Sequence, residues 1–422
     1  MQTIRGTKDI LPSEITTWQK LYFEALNTLN LYNYHEIRTP IIENTDVFLK
    51  SVGDSTDIIN KEMYRFIDQG ERDITLRPEG TASIARAIAS NKLYTTQALH
   101  KLWYMGPMFR YERPQNGRQR QFHQLGVECI GTDSPLADVE VIQIAYSLLK
   151  KFNCHNYNIE LNSLGTKEER GKYQVAFKKF LKKYENDLDD DSKKRLYTNP
   201  LRILDSKNIK VQELIKEAPS INQYLEKDSR AHFEFICEYL SLLNIPYEIN
   251  TKLVRGLDYY NHTAFEITSN ELGSQKTICG GGRYSKLVKQ FGGPDLPGVG
   301  WAIGIERLLI LIKNNYNTEY SNNRFDIITE GLEAQRISCN LIQLLEEENI
   351  MFNLNFSNQS LNKQIKKSIQ NKSLGCLILG THEINNSTIT IKWLQERYQE
   401  TIEYSNIINY LNIKLDKHIK RT

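Results

Sequence analysis

Between Pro12 and Leu31 the apolar residues Ile15, Trp18, Leu21, Tyr22, Ala25, Leu26 and Leu29 recur at helical spacing. This predicts a helix, with Ser13 placed to cap it. The segment Tyr34–Glu43 that follows is short, apolar and interrupted by Pro40. Proline lacks the N–H of a ladder bond, so this strand belongs at an edge. An edge strand beside a long helix is a common dimer surface; a strand end inside one subunit would show the same pattern. Strand-like content returns at 72–77, 101–112 and 120–131, and the last two flank the polar loop Arg113–Gln119. That arrangement predicts an antiparallel hairpin with a long tip, followed by a helix over 136–150.

From about 167 to 225 the pattern changes. Lys178, Lys179, Lys182, Lys183, Lys193 and Lys194 cluster there, interrupted by the acidic run Asp187–Asp191. The stretch reads as a mostly solvated helical insertion. Strand-like segments resume at 247–254, 262–268 and 276–279, then a glycine-rich turn and a helix over Gly304–Lys313. Residues 314–323 are polar and aperiodic and read as a linker. Beyond it, strands at 325–329, 351–356, 374–379 and 388–392 are interleaved with helices at 334–348 and 361–371. This is the pattern of a separate α/β domain of about 100 residues. The expected division is therefore 1–320, with the insertion at about 167–245, and 325–422.

Composition narrows the classes. A chain of 422 residues exceeds one ordinary domain. Lys plus Arg (54) and Asp plus Glu (51) nearly cancel to a net charge of +3, so net charge neither demands nor forbids a polyanionic partner. The six cysteines are scattered without a Cys-x-x-Cys, which excludes a zinc ribbon and argues for a reducing compartment. No run of about 18 apolar residues is present, so no membrane span is expected. The opening MQTIRGTKDILP has no apolar signal core. The expectation is a soluble protein that works where it is made. Heavy use of Asn, Ile, Lys and Tyr suits an AT-rich genome, and either a bacterial cytoplasm or a plastid stroma.

The candidate chemistry lies in charged residues set inside apolar, glycine-marked segments. Such charges need partners, and a ligand is one kind of partner. Neither Gly-x-x-x-x-Gly-Lys-Ser/Thr nor Gly-x-Gly-x-x-Gly is present, and the eight histidines show no metal-ligand spacing. In Leu76-Arg-Pro-Glu-Gly-Thr-Ala82, Glu79 either caps the helix that follows or accepts from an ammonium group. In Met108–Arg113 strand alternation places Arg110 and Glu112 on one face; on the returning strand Phe122, Gln124, Gly126 and Glu128 share one. That face is either solvated or a ligand surface, and its phenylalanine and glycine favour the ligand. In Val254–Asn261, Arg255 precedes a glycine that lets backbone approach a ligand, and two tyrosines add hydroxyls. Cys279-Gly-Gly-Gly-Arg-Tyr284 is followed by Gly298–Arg307, where Arg307 is either an ion-pair partner or an anion clamp.

Taken in order these segments resemble the class II aminoacyl-tRNA synthetases. Arg38-Thr-Pro-Ile-Ile-Glu43 is similar to their motif 1, Phe109-Arg-Tyr-Glu112 with its loop to motif 2, and Gly304-Ile-Glu-Arg307 to motif 3. Arg5–Pro12, Leu76–Thr81, Gln121-Phe-His-Gln124 and Arg255-Gly-Leu-Asp-Tyr-Tyr260 resemble the histidyl-tRNA synthetases in particular. The resemblance runs from residue 2 to about 411. It implies an α+β catalytic domain on a mixed, mainly antiparallel sheet with flanking helices and a helical insertion, followed by an α/β anticodon-binding domain.

The resemblance also implies roles. The amino-acid carboxylate attacks the α-phosphate of ATP, with Mg²⁺ accompanying the nucleotide, and the adenylate is then transferred to the 3′ end of histidine tRNA. Arg110 and Arg255 are the implied catalytic pair at the α-phosphate and substrate carboxylate. Arg307 holds the γ-phosphate and covers one face of the adenine, Phe122 stacks on the other, Glu112 accepts from the adenine amino group, and Arg118 meets the triphosphate. Glu79, Thr81 and Gln124 hold the ammonium group of L-histidine, with Gly80 in the same set. Glu128 and Tyr260 bind the imidazole, while Tyr259 and Tyr284 shape its pocket. Arg113 and Gln115 read the acceptor end of the tRNA. Motif 1 implies a homodimer. Two rivals share the fold: a regulatory subunit of ATP phosphoribosyltransferase, and a class II synthetase for another amino acid.

Overall fold

A computed structural model of the chain describes residues 1–52, 56, 58–255, 257, 259–273, 275–312, 324–356 and 359–419. The chain divides into two units, Met1–Thr318 and Glu319–Thr422. The expected linker at 314–323, and Gly256 and Asp258 of the arginine–tyrosine motif, lie outside the described residues.

The first unit opens with α1 (Pro12–Leu31), β1 (His35–Glu36), β2 (Ile42–Asn44), α2 (Asp46–Val52), β3 (Tyr64–Ile67), β4 (Asp73–Leu76) and α3 (Thr81–Ser90). Next come β5 (His100–Phe109), β6 (Gln121–Ile130), α4 (Pro135–Lys151) and β7 (Asn158–Ser163). The insertion supplies α5 (Lys167–Lys182), α6 (Asp190–Thr198), α7 (Ile209–Ile215) and α8 (Lys227–Leu242). The unit ends with β8 (Glu248–Ile249), β9 (Tyr260–Thr268), β10 (Thr277–Tyr284), α9 (Leu287–Gln290), β11 (Gly298–Gly304) and α10 (Ile305–Ile312).

Its main sheet runs β1-β5-β6-β11-β10-β9-β7-β8. Only the outer pairs β1/β5 and β7/β8 are parallel; the six inner strands are antiparallel. A second sheet, β2-β4-β3, is antiparallel. Alternation gives the main sheet two different faces. Trp103, Val127, Phe265, Trp301 and Ile303 point to one side, where α1, α4 and α8 bury Trp18, Leu21, Val141, Leu148, Phe233 and Ile236 against them. Tyr104, Tyr260, Ala264 and Tyr284 point to the other, packed with Ile84 and Ile88 of α3. The apolar helices thus claim one face and leave the second for chemistry.

Several expectations are corrected in detail. Ser13 does not cap α1: Pro12 takes the first helical position, so Ser13 is already inside the helix, and Leu11 precedes it without a side-chain cap. The segment 34–43 is two strands, because Pro40 cannot pair; β1 edges the large sheet and β2 joins the small one. The glycine-rich stretch expected to turn is strand. Gly280, Gly281 and Gly282 lie in β10, where added Cβ atoms would collide with Arg255, with Gly300 O and with Thr263 O. These glycines serve close approach rather than turning. Only Glu248–Ile249 of the expected strand 247–254 is paired. The insertion is less solvated than its lysines suggested, since Tyr173, Phe177, Leu181, Leu196, Ile203, Val211 and Ile215 form a core of its own.

The second unit carries β12 (Phe325–Thr329), α11 (Leu332–Glu347), β13 (Phe352–Leu354), α12 (Leu361–Gln370), β14 (Gly375–Leu379), α13 (Thr381–Asn385), β15 (Thr388–Trp393), β16 (Tyr398–Glu403) and α14 (Ile407–Ile419). Its sheet runs β13-β12-β14-β15-β16, parallel in the first three strands and antiparallel in the rest. Strand β16 and α14 lie beyond the last element read from the sequence.

Candidate functional site

Seven strand positions on the open face of the main sheet are glycine: Gly106, Gly126, Gly280, Gly282, Gly298, Gly300 and Gly304. A Cβ at Gly126 would strike the Tyr104 ring, one at Gly298 the Tyr284 ring, and one at Gly300 the Glu128 carboxylate. The missing side chains make room for large polar ones. Around them opens a cavity lined by Glu79, Thr81, Arg110, Glu112, Arg118, Phe122, Gln124, Arg255, Tyr259, Tyr260, Glu306 and Arg307. Three guanidinium groups from distant parts of the chain, Arg110, Arg255 and Arg307, therefore face one space.

Each arginine is held before any ligand arrives. Arg110 Nε donates to Pro78 O at 2.9 Å, and its guanidinium stands 5.3 Å from the centre of the Phe122 ring. The alternation argument for Arg110 and Glu112 fails, because β5 ends at Phe109. Both side chains still reach the cavity, from the loop beyond the strand. Arg118 closes an ion pair with Glu112. Arg307, in the first turn of α10, donates from Nε to Gly117 O at 3.0 Å and from Nη1 to Thr277 O at 2.8 Å. Burial lowers its proton affinity, and nearby Arg118 adds to the effect. Arg255 pairs with Glu266 of β9 and lies 5.6 Å from the centre of the Tyr260 ring. Burial works against its charge, but Glu266 together with Tyr260, Tyr259 and Cys279 outweighs burial and holds the guanidinium above its ordinary range.

Another part of the cavity is built on carboxylates. Glu79 accepts from Thr81 N at 2.7 Å and Ala82 N at 2.8 Å, so it does cap α3. It lines the cavity as well, so the two readings of Glu79 describe one residue. Burial raises its carboxyl; the Ala82 and Thr81 amides and the charge of Arg110 oppose the rise. Glu128 is 1% exposed and accepts from the hydroxyls of Thr81 at 2.5 Å and Tyr284 at 2.7 Å. Burial pushes its carboxyl up to about 8; the two hydroxyls pull against it, and the nearby Glu79 charge adds to it. Glu128 and Tyr284 do not line the cavity directly; Thr81 links Glu128 to it. Buried Gln124 Oε1 and Arg255 Nε have no hydrogen-bond partner among the described residues. Such orphans in a cavity point to a ligand.

Arg113 and Gln115 are exposed and stand apart from the cavity lining. Gln115 and Arg118 exchange backbone hydrogen bonds of 3.0 Å, which folds the loop tip into a tight turn. Gly80 lies against Tyr104 rather than in the lining. The sequence reading missed three residues. Glu266 holds Arg255; a charge inside an apolar strand was the signal. Glu306 accepts from His123 N at 3.0 and 2.9 Å and lies 2.9 Å from His123 Nδ1. Tyr104 supports the floor between Gly80 and Gly126, and nothing in its local sequence marks it. No group of three or more metal-ligating side chains occurs among the described residues, and none of their helices is long and apolar enough to cross a membrane.

Comparison with known proteins places the chain in a family. A family model described as Histidyl-tRNA synthetase matches residues 6–308, and one described as Anticodon binding domain matches residues 324–414. The chain is 56% identical over 412 residues to the chloroplastic histidine–tRNA ligase of Gracilaria tenuistipitata var. liui, covering 98% of each chain. It is 46% identical over 427 residues to the histidine–tRNA ligase of Rippkaea orientalis, covering 100% of this chain and 99% of the relative. The crystal structure of apo histidyl-tRNA synthetase from S. aureus superposes with a TM-score of 0.82 at 34% identity, covering 97% of this chain and 99% of the other. The chain belongs to the histidyl-tRNA synthetase family of class II aminoacyl-tRNA ligases.

Proposed function

We propose that this enzyme activates L-histidine with ATP and transfers it to the 3′ end of histidine tRNA. The convergence of Arg110, Arg255 and Arg307 on one cavity carries the reading. In the first step a histidine carboxylate oxygen bonds to the α-phosphorus, and the bond to the pyrophosphate oxygen breaks. The nucleophile is already an anion, so the step calls for positioning and charge neutralisation rather than a general base. Arg110 and Arg255 neutralise the reacting phosphate and carboxylate. Arg307 and Arg118 take the rest of the triphosphate, Phe122 stacks on the adenine and Glu112 accepts from its amino group. A guanidinium stays charged and presents a planar fork to phosphate oxygens. In the second step a terminal ribose hydroxyl attacks the carbonyl carbon and AMP leaves.

Glu79, Thr81 and Gln124 hold the substrate ammonium, while Glu128 and Tyr260 meet the two imidazole nitrogens. Tyr259 and Tyr284 shape the pocket, and Gly80 keeps the backbone close. A substrate lacking either nitrogen would leave buried polar groups unpaired, which is worth about 10⁴-fold in discrimination. Magnesium would accompany the triphosphate and offset part of its charge, and Glu112 and Glu306, carboxylates of this cavity, would be placed to hold it.

The remaining assignments follow the same reading. Residues 1–320 form the catalytic domain and 325–422 bind the anticodon. The insertion at 167–245 clasps the acceptor end, and exposed Arg113 and Gln115 read it. Exposed Ile42 (52%) and Ile67 (65%) on the small sheet support a two-fold dimer through the motif 1 region. The working compartment is a bacterial cytoplasm or a plastid stroma. Pyrophosphate exchange measured with each amino acid tests the whole. Exchange driven by histidine alone is expected; no exchange with any amino acid would favour a regulatory subunit, and exchange with a different one would name another synthetase.

A further inference from the structure

The Gly-Gly-Gly-Arg-Tyr motif sends its tyrosine to the site and its arginine the other way. Arg283 lies on the helix-covered face of β10 and is 3% exposed. All three of its nitrogens are engaged. Nε donates to the two oxygens of Asp138 at 3.2 and 3.0 Å, Nη1 to Thr132 O at 2.9 Å, and Nη2 to Ser134 O at 2.8 Å and to Asp138. Asp138, in the first turn of α4, is wholly buried. Burial alone pushes its carboxyl up, but His232 and Arg283 outweigh burial and hold it below the ordinary carboxylate range. His232 comes from α8, the helix that closes the insertion, and its Nε2 lies 3.5 Å from Asp138 Oδ2.

The strand end is irregular on one side at this point. The β10/β9 register slips between Gly282 and Arg283, whose partners are Ala264 and Asn261. His262, inside the slip, has φ +44°. Such an irregularity disrupts the local ladder and bends the strand. Tyr284 is the next residue and the last of β10, and it donates to Glu128 from there. Strand β10 stays regularly paired with β11 here, Arg283 with Val299 and Tyr284 with Gly298, and the guanidinium fork adds a side-chain anchor to a strand end whose ladder with β9 is irregular. The groups holding Arg110 and Arg307 (Pro78, Gly117 and Thr277) do not include Arg283 or Asp138.

We infer that His232, Asp138 and Arg283 form a positioning chain for the amino-acid subsite, through which the last helix of the insertion fixes the strand end that aims Tyr284 at Glu128. This rests on the assignment of Glu128 and Tyr284 to the histidine side of the site. A structural role alone would weaken folding, or both substrates alike. A positioning role weakens histidine selectively.

Two variants test it. Arg283→Lys keeps a charge beside Asp138 and loses the fork to Thr132 and Ser134. His232→Asn leaves the Arg283–Asp138 pair intact and secures a result if the first variant fails to fold. In histidine-dependent pyrophosphate exchange, Arg283→Lys is expected to raise the KM for histidine about 10-fold, the loss of roughly one charge-assisted hydrogen bond, with the KM for ATP within about 2-fold. His232→Asn is expected to raise the histidine KM about 3-fold with the same selectivity. A folded His232→Asn with unchanged histidine KM, or an equal rise in both KM values, overturns the inference. A wild-type protein that exchanges with some other amino acid or with none overturns the assignment of the site, and this inference with it.

Discussion

The Thr81 hydroxyl donates to Oε1 of Glu128 at 2.5 Å, joining the first residue of α3 to a strand residue 47 positions further on. With Tyr284 on the other oxygen, Glu128 is oriented before substrate arrives. Glu128→Gln replaces an acceptor with an amide in a fully buried site. Histidine affinity is expected to fall by about 100-fold or more, because a buried polar match becomes a mismatch. ATP affinity is expected to stay within about 2-fold. Calorimetric titration of each ligand measures both; equal losses would refute the assignment.

The same carboxyl gives the empty protein a pH signature. Glu128 is pushed up to about 8, above the 4.5 of an ordinary glutamate. Between those values the folded protein keeps a proton that the unfolded chain has released. Its contribution to stability is therefore complete below the lower value and is lost as pH rises through the upper one. Denaturation of ligand-free protein from pH 5 to pH 8 should show wild type losing stability relative to Glu128→Gln. Parallel curves would place the titrating group elsewhere.

Arg255→Ala is expected to reduce adenylate formation by about 10³-fold or more, since it removes a fixed charge at the reacting centre. The proposed dimer should persist, because Arg255 lies in the cavity and the exposed Ile42 and Ile67 do not. Exchange rate and molecular mass decide together, and near-normal exchange would remove the catalytic role. Glu266→Gln should cost less, about 10-fold, because it loosens the guanidinium without removing it.

Much of this site was readable from the chain. Arg110, Gln124 and Arg255 carry charge or polarity where apolar segments rarely tolerate it, and the cavity unites them with Arg118 of the loop, Phe122 of the returning strand and Arg307 of the helix. The supporting residues were harder to read. Tyr104 looks like any strand aromatic until Gly80 and Gly126 are seen against its ring. The glycine run at 280–282 suggested a turn because glycine favours turns, whereas here crowding by Arg255 and the neighbouring strands sets the requirement. Those constraints come from tertiary neighbours, which no local pattern contains.

Gly117 has φ +71°, and a Cβ there would stand 3.1 Å from Arg307 Cγ. Gly117→Ala places a side chain in a left-handed conformation at a cost of about 1 kcal/mol and crowds the arginine. Since the Gly117 carbonyl also holds Arg307 Nε, the KM for ATP is expected to rise about 5-fold, with the histidine KM unchanged. Steady-state exchange at varied ATP measures it. A change confined to histidine would show that Arg307 does not serve the nucleotide.

Arg113 and Gln115 differ from every residue above, because they are exposed on the loop tip and do not line the cavity. A residue that serves only tRNA should be silent in the first half-reaction. Arg113→Ala and Gln115→Ala are each expected to leave exchange within about 2-fold of wild type, while kcat/KM for charging tRNA falls about 10-fold. The Arg113 effect should weaken as salt rises, because a contact to phosphate is screened and a contact to a base edge is not. Parallel losses in exchange and charging would mean that the loop tip positions ATP, and unchanged charging would mean that the acceptor end is read elsewhere.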